Sequence, residues 1–285
     1  MRRRATANLC KAFILVGLLV ALAAGVGWLI GGERSAALFA FCGLSAAIAV
    51  YWLGDRTLLG MLGARPFALA EDPLLRSTTD RVAAQLKIPA PKLALIDDGF
   101  PRAFVVGRGP GSSTLAVSTG LLRAVRREEL QAVIAHELAH VRNLDVLTQT
   151  FAVLLATMLV ELSRLGGYFS RALLFVLGPI ASAFTHAMLS PRREYAADRD
   201  AAGVSNPHDL ADALLRLDRA GELVSFATSP TTEPLYAVDP FEHDRLSRMF
   251  QTHPPLAERV RRLRAMDDGL EEREDAAAMS TPPPA

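Results

Sequence analysis

The chain has 285 residues, and 51% of them are hydrophobic, which is more than a soluble catalytic domain of this length needs. It carries 31 Lys and Arg against 30 Asp and Glu, so no global positive field exists to hold nucleic acid. Two cysteines, Cys10 and Cys42, lie in or beside apolar runs, and no disulfide framework is predicted from them. Composition therefore excludes nucleic-acid binding, repeat arrays and disordered scaffolds.

Two apolar runs near the N-terminus are each long enough to cross a bilayer. Residues 12–30 and 36–54 each hold 19 uncharged residues, close to the roughly 20 that a membrane core requires. We predict a tight transmembrane hairpin; the alternative for the first run is a cleaved signal peptide. Four basic residues precede the hairpin and one lies in its connector, so the positive-inside rule places the N-terminus in the cytoplasm.

Two later apolar stretches, residues 146–160 and 172–189, are shorter or interrupted by polar residues and a proline. They either span the membrane or pack as core helices or a re-entrant hairpin.

The rest of the chain alternates helical and strand-like patterns. An amphipathic helix is expected at 72–86, followed by short strands that suggest a small antiparallel sheet. The expected strands lie at 92–96, 103–106 and 113–118. Further helices are expected from about residue 126, over 192–202 and from Asn206 to about residue 220, with a loop at 222–245 and a disordered tail at 271–285.

The helix that begins near residue 126 contains the sequence HELAH. His136 and His140 stand at positions i and i+4, so both imidazoles share a helix face and can bind one Zn²⁺. Glu137 lies beside them as a candidate general base. The flanking residues are apolar, as expected of a helix that buries such a site.

A catalytic zinc normally takes three protein ligands, so a third must come from elsewhere. Glu194 and Asp198 are again i and i+4 in a charged segment after the last apolar stretch. One carboxylate can bind the metal while the other orients a ligand histidine. The alternative is that these acids pair with neighbouring arginines on a solvated face.

The order of HELAH, two apolar segments, EYAAD and THPPLAERVRRL resembles the HtpX family of membrane metallopeptidases, which are related to the CAAX prenyl endopeptidases. The resemblance implies a mainly helical α+β fold, membrane-embedded and of the zincin type, with two to four transmembrane helices. It further implies a gluzincin that binds one Zn²⁺ through His136, His140 and Glu194, with Glu137 as general base and Asp198 contacting a ligand. One segment before the HELAH helix resembles a family motif that begins with Asn, and this chain has Arg102 at that position.

The resemblance divides the chain into five parts. Residues 1–54 form the hairpin, 55–145 and 191–270 the two parts of the protease domain, 146–190 the apolar segments and 271–285 the tail. His140 and Glu194 must meet at one metal, so the chain between them crosses the membrane an even number of times or not at all. We therefore expect a multi-pass protein of the cell (inner) membrane with a cytoplasmic active site.

Two further sets of site residues are predicted. His253, in a Thr-His-Pro-Pro turn, is the candidate donor to the tetrahedral oxyanion; alternatively it caps the helix that follows. Zincins commonly add an extended substrate to a sheet edge, and Ala116, Val117, Ser118 and Thr119 are the candidate edge, unless that strand is central and buried.

The favoured function is zinc-dependent hydrolysis of peptide bonds in misfolded or damaged membrane proteins, that is, protein quality control under stress. The expected partners are unfolded or membrane protein substrates and the lipid bilayer. Processing of one defined membrane substrate, or a non-catalytic zinc-stabilised scaffold, are the alternatives. Mn²⁺ or Fe²⁺ could replace zinc on such ligands.

Overall fold

The computed structural model describes residues 2–68, 71–164, 191–223 and 254–266, with a few single residues between 165 and 190. Helix α1 (Arg2–Met61) holds both N-terminal apolar runs, and its helical geometry breaks at Gly31 and Gly32. Because Gly43 lies against Val20 and Ala23, the chain reverses at this break. Among the described residues, the segment Ala23–Met61 is the one helix long and apolar enough to cross a membrane.

Within the described part of the chain, the sheet has four strands in the order β1-β2-β4-β3. The strands are β1 (Ala64–Pro66), β2 (Lys92–Ile96), β3 (Ala103–Gly107) and β4 (Ser113–Ser118). The β2–β4 pair is parallel and the other two pairs are antiparallel, so the expected antiparallel sheet is in fact mixed. The reason is geometric: the connection after β2 places β3 at the outer edge, and β4 then inserts between β2 and β3.

Both faces of the sheet are buried, which explains why its strands are apolar without alternation. Leu93, Val105, Leu115 and Val117 face the main core. On the other face, a cluster formed by Ala94, Ile96, Phe104, Val106 and Ala116 packs against Leu58 and Leu62 at the end of α1. The N-terminal hairpin is therefore fastened to the sheet through its second half.

Helices surround a central one, α4. They are α2 (Pro73–Leu86), α3 (Thr119–Ala124), α4 (Arg127–Asn143), α5 (Val146–Arg164), α6 (Arg192–Ala202), α7 (Pro207–Leu223) and α8, residues 256–266. Helices α2, α6 and α7 all pack on α4, and residues Leu130 to Val141 of α4 are almost continuously buried. Every side chain on this part of α4 except that of Gln131 is consequently shielded from solvent.

Helix α5 follows α4 directly and contains the stretch expected at 146–160. Its first turns are buried, with Val146, Ala152 and Val153 at 0% exposure, and they pack against α1 and β3. Most of the stretch at 172–189 and the tail at 271–285 lie outside the described residues, as does nearly all of the loop expected at 222–245.

Candidate metal centre

Helix α4 is fixed at both ends by contacts that its sequence provides. At the start, the Glu129 carboxylate accepts a 2.7 Å hydrogen bond from the Arg126 backbone N–H. This N–H has no acceptor within the helix itself. At the end, Leu144 adopts a left-handed conformation with φ of 62°. The helix therefore begins and stops at defined residues, and His136 and His140 lie in its buried middle.

The structure brings His136, His140 and Glu194 together. The two histidines are one turn apart on α4, and Glu194 comes from the first turn of α6. His136 Nε2 lies 3.4 Å from Glu194 Oε2, and His140 Nε2 lies 3.7 Å from Glu194 Oε1. All three side chains are at most 4% exposed.

These three groups fit a metal ion. One ligand atom from each residue lies within 4.8 Å of the others. Tetrahedral coordination with bonds of roughly 2.0–2.2 Å separates ligand atoms by about 3.3 Å, close to the observed histidine–carboxylate distances. Among the described residues around the histidines, four carboxylates face two guanidinium groups, a formal charge of −2 with neutral imidazoles, which a divalent ion would balance. The carboxylates are Glu137, Asp145, Glu194 and Asp198, and the guanidinium groups are Arg193 and Arg259.

Asp198 links the first histidine to a buried arginine. Its Oδ1 atom lies 3.0 Å from His136 Nδ1, and Arg259 of α8 donates to both carboxylate oxygens at 2.7 and 2.9 Å. Burial raises the pKa of Asp198, but Arg259 and His136 outweigh it and lower the pKa to about 2. Asp198 is therefore ionised and able to hold His136 Nδ1 protonated, which directs Nε2 toward Glu194.

In the metal-free protein, burial lowers the pKa of His136, while the Asp198 and Glu194 carboxylates raise it, with a net value of about 9. The second histidine has a similar neighbour: His140 Nδ1 lies 3.5 Å from Asp145 Oδ2. The left-handed Leu144 turns the chain at the end of α4, so that the Asp145 N–H donates to the His140 carbonyl. In each imidazole, Nδ1 thus lies near an aspartate and Nε2 lies near Glu194.

Glu137 follows His136 and is only 2% exposed. Burial lowers the pKa of Arg259, but the charges of Asp198, Glu194 and Glu137 raise it above its ordinary value, so Glu137 is one of the charges around Arg259. The other predicted catalytic residue, His253, lies outside the described residues. The alternative of a solvated acidic face at Glu194 and Asp198 is wrong, because both are buried.

The predicted substrate edge is also wrong. Strand β4 is central: Ala116 pairs with Ala94 on one side and Phe104 on the other, so its backbone groups are already used. Val117 pairs on both sides as well. Ser118 is the N-cap of α3, and Thr119 is the first residue of that helix.

Ser118 and Arg102 organise the loop between β2 and β3. The Ser118 hydroxyl accepts from the Arg102 N–H at 2.9 Å and donates to the Phe100 carbonyl at 2.7 Å. The Arg102 guanidinium is buried and forms an ion pair with Asp98. This arginine, at the position that departs from the family motif, thus has a structural partner within its own loop.

Arg259 is a site residue that the sequence motifs did not assign. It is 1% exposed, and its Nη2 atom lies 3.5 Å from His136 Nε2. The available signal was its place in α8: it shares the stripe of Leu256 and Leu263, at spacings of three and four, and the apolar stripe of a helix is the side that becomes buried.

Residues 69–267 match the family model described as Peptidase family M48, which covers more than half of the chain. The chain belongs to peptidase family M48. A "Protease HtpX homolog" of Acidiphilium cryptum is 36% identical over 277 residues, covering 91% of this chain and 96% of the relative. The relative of the same name in Pyrococcus abyssi is also 36% identical over 277 residues, covering 90% and 96%.

Among solved structures, the crystal structure of S. mikatae Ste24p aligns with a TM-score of 0.49 and 17% identity, covering 92% of this chain and 67% of that one. The predicted relation to HtpX is confirmed by the M48 match and the HtpX relatives. This M48 protein is a metalloprotease, and the same relatives support the membrane association expected from its apolar helices.

Proposed function

We propose that this M48 protein is a zinc-dependent membrane endopeptidase that hydrolyses peptide bonds of misfolded or damaged membrane proteins at the cytoplasmic surface. The observation that carries the proposal is the buried convergence of His136, His140 and Glu194 from two helices, with donor atoms at metal-ligand spacing. We assign these three residues as the ligands of one Zn²⁺ per chain.

The residues around the ligands have distinct roles. When bound, the metal supplies Lewis-acid activation of water and of the scissile carbonyl. Glu137 takes the proton from the attacking water and returns it to the leaving amine. Asp198 keeps His136 in the tautomer that presents Nε2, and Arg259 holds Asp198 in place. His253 is the proposed donor to the oxyanion, a kind of contact that is worth roughly 2.7–4 kcal/mol in other enzymes.

The position of the site supports membrane substrates. The sheet beside α4 packs against the last turns of α1, through Leu58 and Leu62, so the catalytic helix lies one layer away from the apolar hairpin. We propose that the hairpin inserts in the membrane with both ends in the cytoplasm, which holds the site near the bilayer surface.

The proposal is tested with full-length protein in detergent, comparing wild type with Glu137→Gln. We expect one zinc per chain in both proteins and cleavage of casein and of an unfolded membrane protein by wild type only. Loss of a general base typically reduces rate by about 10²–10⁴-fold. Glu128→Gln, an exposed acid on the same helix, is the matched control and should cleave like wild type.

Two results would overturn the proposal in different ways. If the protein binds no divalent metal, the ligand assignment fails. If zinc binds equally in both proteins but Glu137→Gln cleaves as fast as wild type, the base assignment fails while the metal site stands.

A further inference from the structure

A cavity whose lining includes none of the metal-centre residues lies against the N-terminal hairpin. Its volume is about 440 Å³, within the range of roughly 300–1,000 Å³ typical of small-molecule sites. The cavity lies between the two halves of α1 and the start of α5. The described residues that line it are apolar apart from one cation, Arg108.

Arg108 closes one end of this cavity. It stands in the β3–β4 connection, and its guanidinium lies over the Trp52 ring at 4.7 Å and near the Tyr51 ring at 5.7 Å. Among the described residues no carboxylate forms an ion pair with it, and its Nε atom is buried without a hydrogen-bond partner. A buried donor of this kind favours an anionic acceptor.

The backbone fixes Arg108 in this position. Gly107, directly before it, has φ of +150°, and a Cβ atom there would collide with the Ser112 carbonyl. The Gly107 N–H also donates to Thr150 of α5 at 3.1 Å. The arginine is therefore held by a tight connection that is fastened to α5.

The remainder of the cavity faces outward. Phe13 is 74% exposed and Ile48 52% exposed, and both belong to the apolar runs. Tyr51 and Trp52 lie where the second run ends, just before Asp55 and Arg56, the position at which aromatic residues mark a membrane interface. The cavity thus opens toward lipid, with Arg108 at headgroup level.

We propose that this cavity binds one anionic phospholipid, with an acyl chain between α1 and α5 and the phosphate on Arg108. A peptide would require hydrogen-bonding groups along the groove, and the lining offers charge at one end only. A phospholipid has the matching division into one anionic head and an apolar tail. Basic pockets between membrane helices on the cytoplasmic side bind anionic lipids in this way. The proposal rests on the proposed membrane insertion of α1 and is independent of catalysis.

The test is native mass spectrometry of the full-length protein in detergent, with dioleoyl-phosphatidylglycerol or dioleoyl-phosphatidylcholine added. Wild type should retain one phosphatidylglycerol about tenfold better than phosphatidylcholine, because the choline cation of phosphatidylcholine offsets the charge of its phosphate. Arg108→Gln should remove the preference, Arg108→Lys should keep part of it, and Ala47→Trp, which fills the cavity, should reduce retention of both lipids. Arg34→Gln, an exposed arginine at the other end of the hairpin, should behave as wild type.

A second readout uses tryptophan fluorescence. The chain has two tryptophans, so Trp28→Phe leaves Trp52 as the sole reporter. Phosphatidylglycerol with brominated acyl chains should quench Trp52 at a mole fraction about tenfold lower than in the Arg108→Gln variant. Inorganic phosphate at millimolar concentration should not compete.

Several outcomes would overturn the lipid site: an unchanged preference in Arg108→Gln, an equal loss in Arg34→Gln, or displacement of the lipid by inorganic phosphate. Vesicle flotation of wild type tests membrane insertion separately from the lipid site. Protein that floats without preferring phosphatidylglycerol contradicts the site alone. Protein that does not float contradicts the insertion on which it rests.

Discussion

Asp198 gives the sharpest prediction for a single residue, because it contacts the proposed ligand His136 and is not itself a proposed metal ligand. It accepts from a fully buried arginine and lies 3.0 Å from His136 Nδ1. We expect Asp198→Asn to weaken zinc binding by about 10–100-fold, the usual cost of removing an acid that orients a metal-bound histidine. Competition with a chromophoric chelator measures the zinc affinity of the two proteins.

The control for this experiment is Asp200→Asn, on the same helix, whose carboxylate accepts from Asn143 and should leave zinc affinity within a factor of a few. Zinc affinity that is equal in Asp198→Asn and wild type would show that Asp198 serves only to neutralise Arg259.

His136 makes metal binding depend on pH. In the metal-free protein its pKa is raised to about 9, and the metal must displace that proton. Apparent zinc affinity should therefore rise by about tenfold per pH unit from roughly pH 6 to 8. Titration against a chelator, corrected for the chelator's own protonation, measures the slope. Asp198→Asn removes the acid that raises this pKa and should flatten the slope; a flat profile in wild type would contradict the assignment.

At the level of single elements, α4 depends on a buried acid at its start. Glu129 is 0% exposed and accepts from the Arg126 N–H and from Arg216 of α7. Burial raises its pKa, but the hydrogen bonds from these arginines hold the pKa below its usual range. Its contribution to stability is therefore present above pH about 4.3, the ordinary Glu value, and is lost as pH falls through the lowered folded-state pKa.

We expect Glu129→Gln to lower the free energy of unfolding by about 1–3 kcal/mol near neutral pH, with the difference shrinking below roughly pH 4. Chemical denaturation in detergent, followed by circular dichroism, tests both parts. The exposed neighbour Glu128→Gln should change stability little at any pH. A deficit in Glu129→Gln that persists unchanged in acid would contradict the ionic origin of its effect.

The elements that could be read from the sequence are those set by local spacing. The positions of His136 and His140 follow from helical periodicity, and the bounds of β2 and α6 match the expected ones. The parallel β2–β4 pairing could not be read, because strand order depends on how a connection packs and not on its composition. Arg259 could not be assigned for the same reason: only the packing of α8 against the site buries its charge.

Two short elements were also missed for physical reasons. Strand β1 has three residues and ends in proline, too few to show a period and with a residue that strands usually exclude. Helix α3 has six residues, less than two turns, and begins directly after the strand expected at 113–118. The Ser118 cap decides the change from strand to helix there.

At the scale of the whole molecule, the proposed topology requires the hairpin connector and the protease domain to lie on opposite sides of the membrane. The basis is charge: Arg2, Arg3, Arg4 and Lys11 precede the hairpin, while Arg34 is the one basic residue in its connector. A background with Cys10→Ser and Cys42→Ser has no cysteine left, since the chain has two. Single cysteines are then placed by Ser35→Cys in the connector or by Arg261→Cys on α8.

In spheroplasts, a membrane-impermeant maleimide should label Ser35→Cys and leave Arg261→Cys unlabelled, and inverted vesicles should reverse the pattern. Arg261 is suitable because its side chain is 72% exposed, and loss of an exposed ion pair costs little, about 0–1 kcal/mol. Both variants should label fully in detergent, which controls for accessibility. Labelling of Arg261→Cys from outside would invert the orientation, and labelling of both from one side would mean that the hairpin does not span the bilayer, because its connector and the protease domain would then share a compartment.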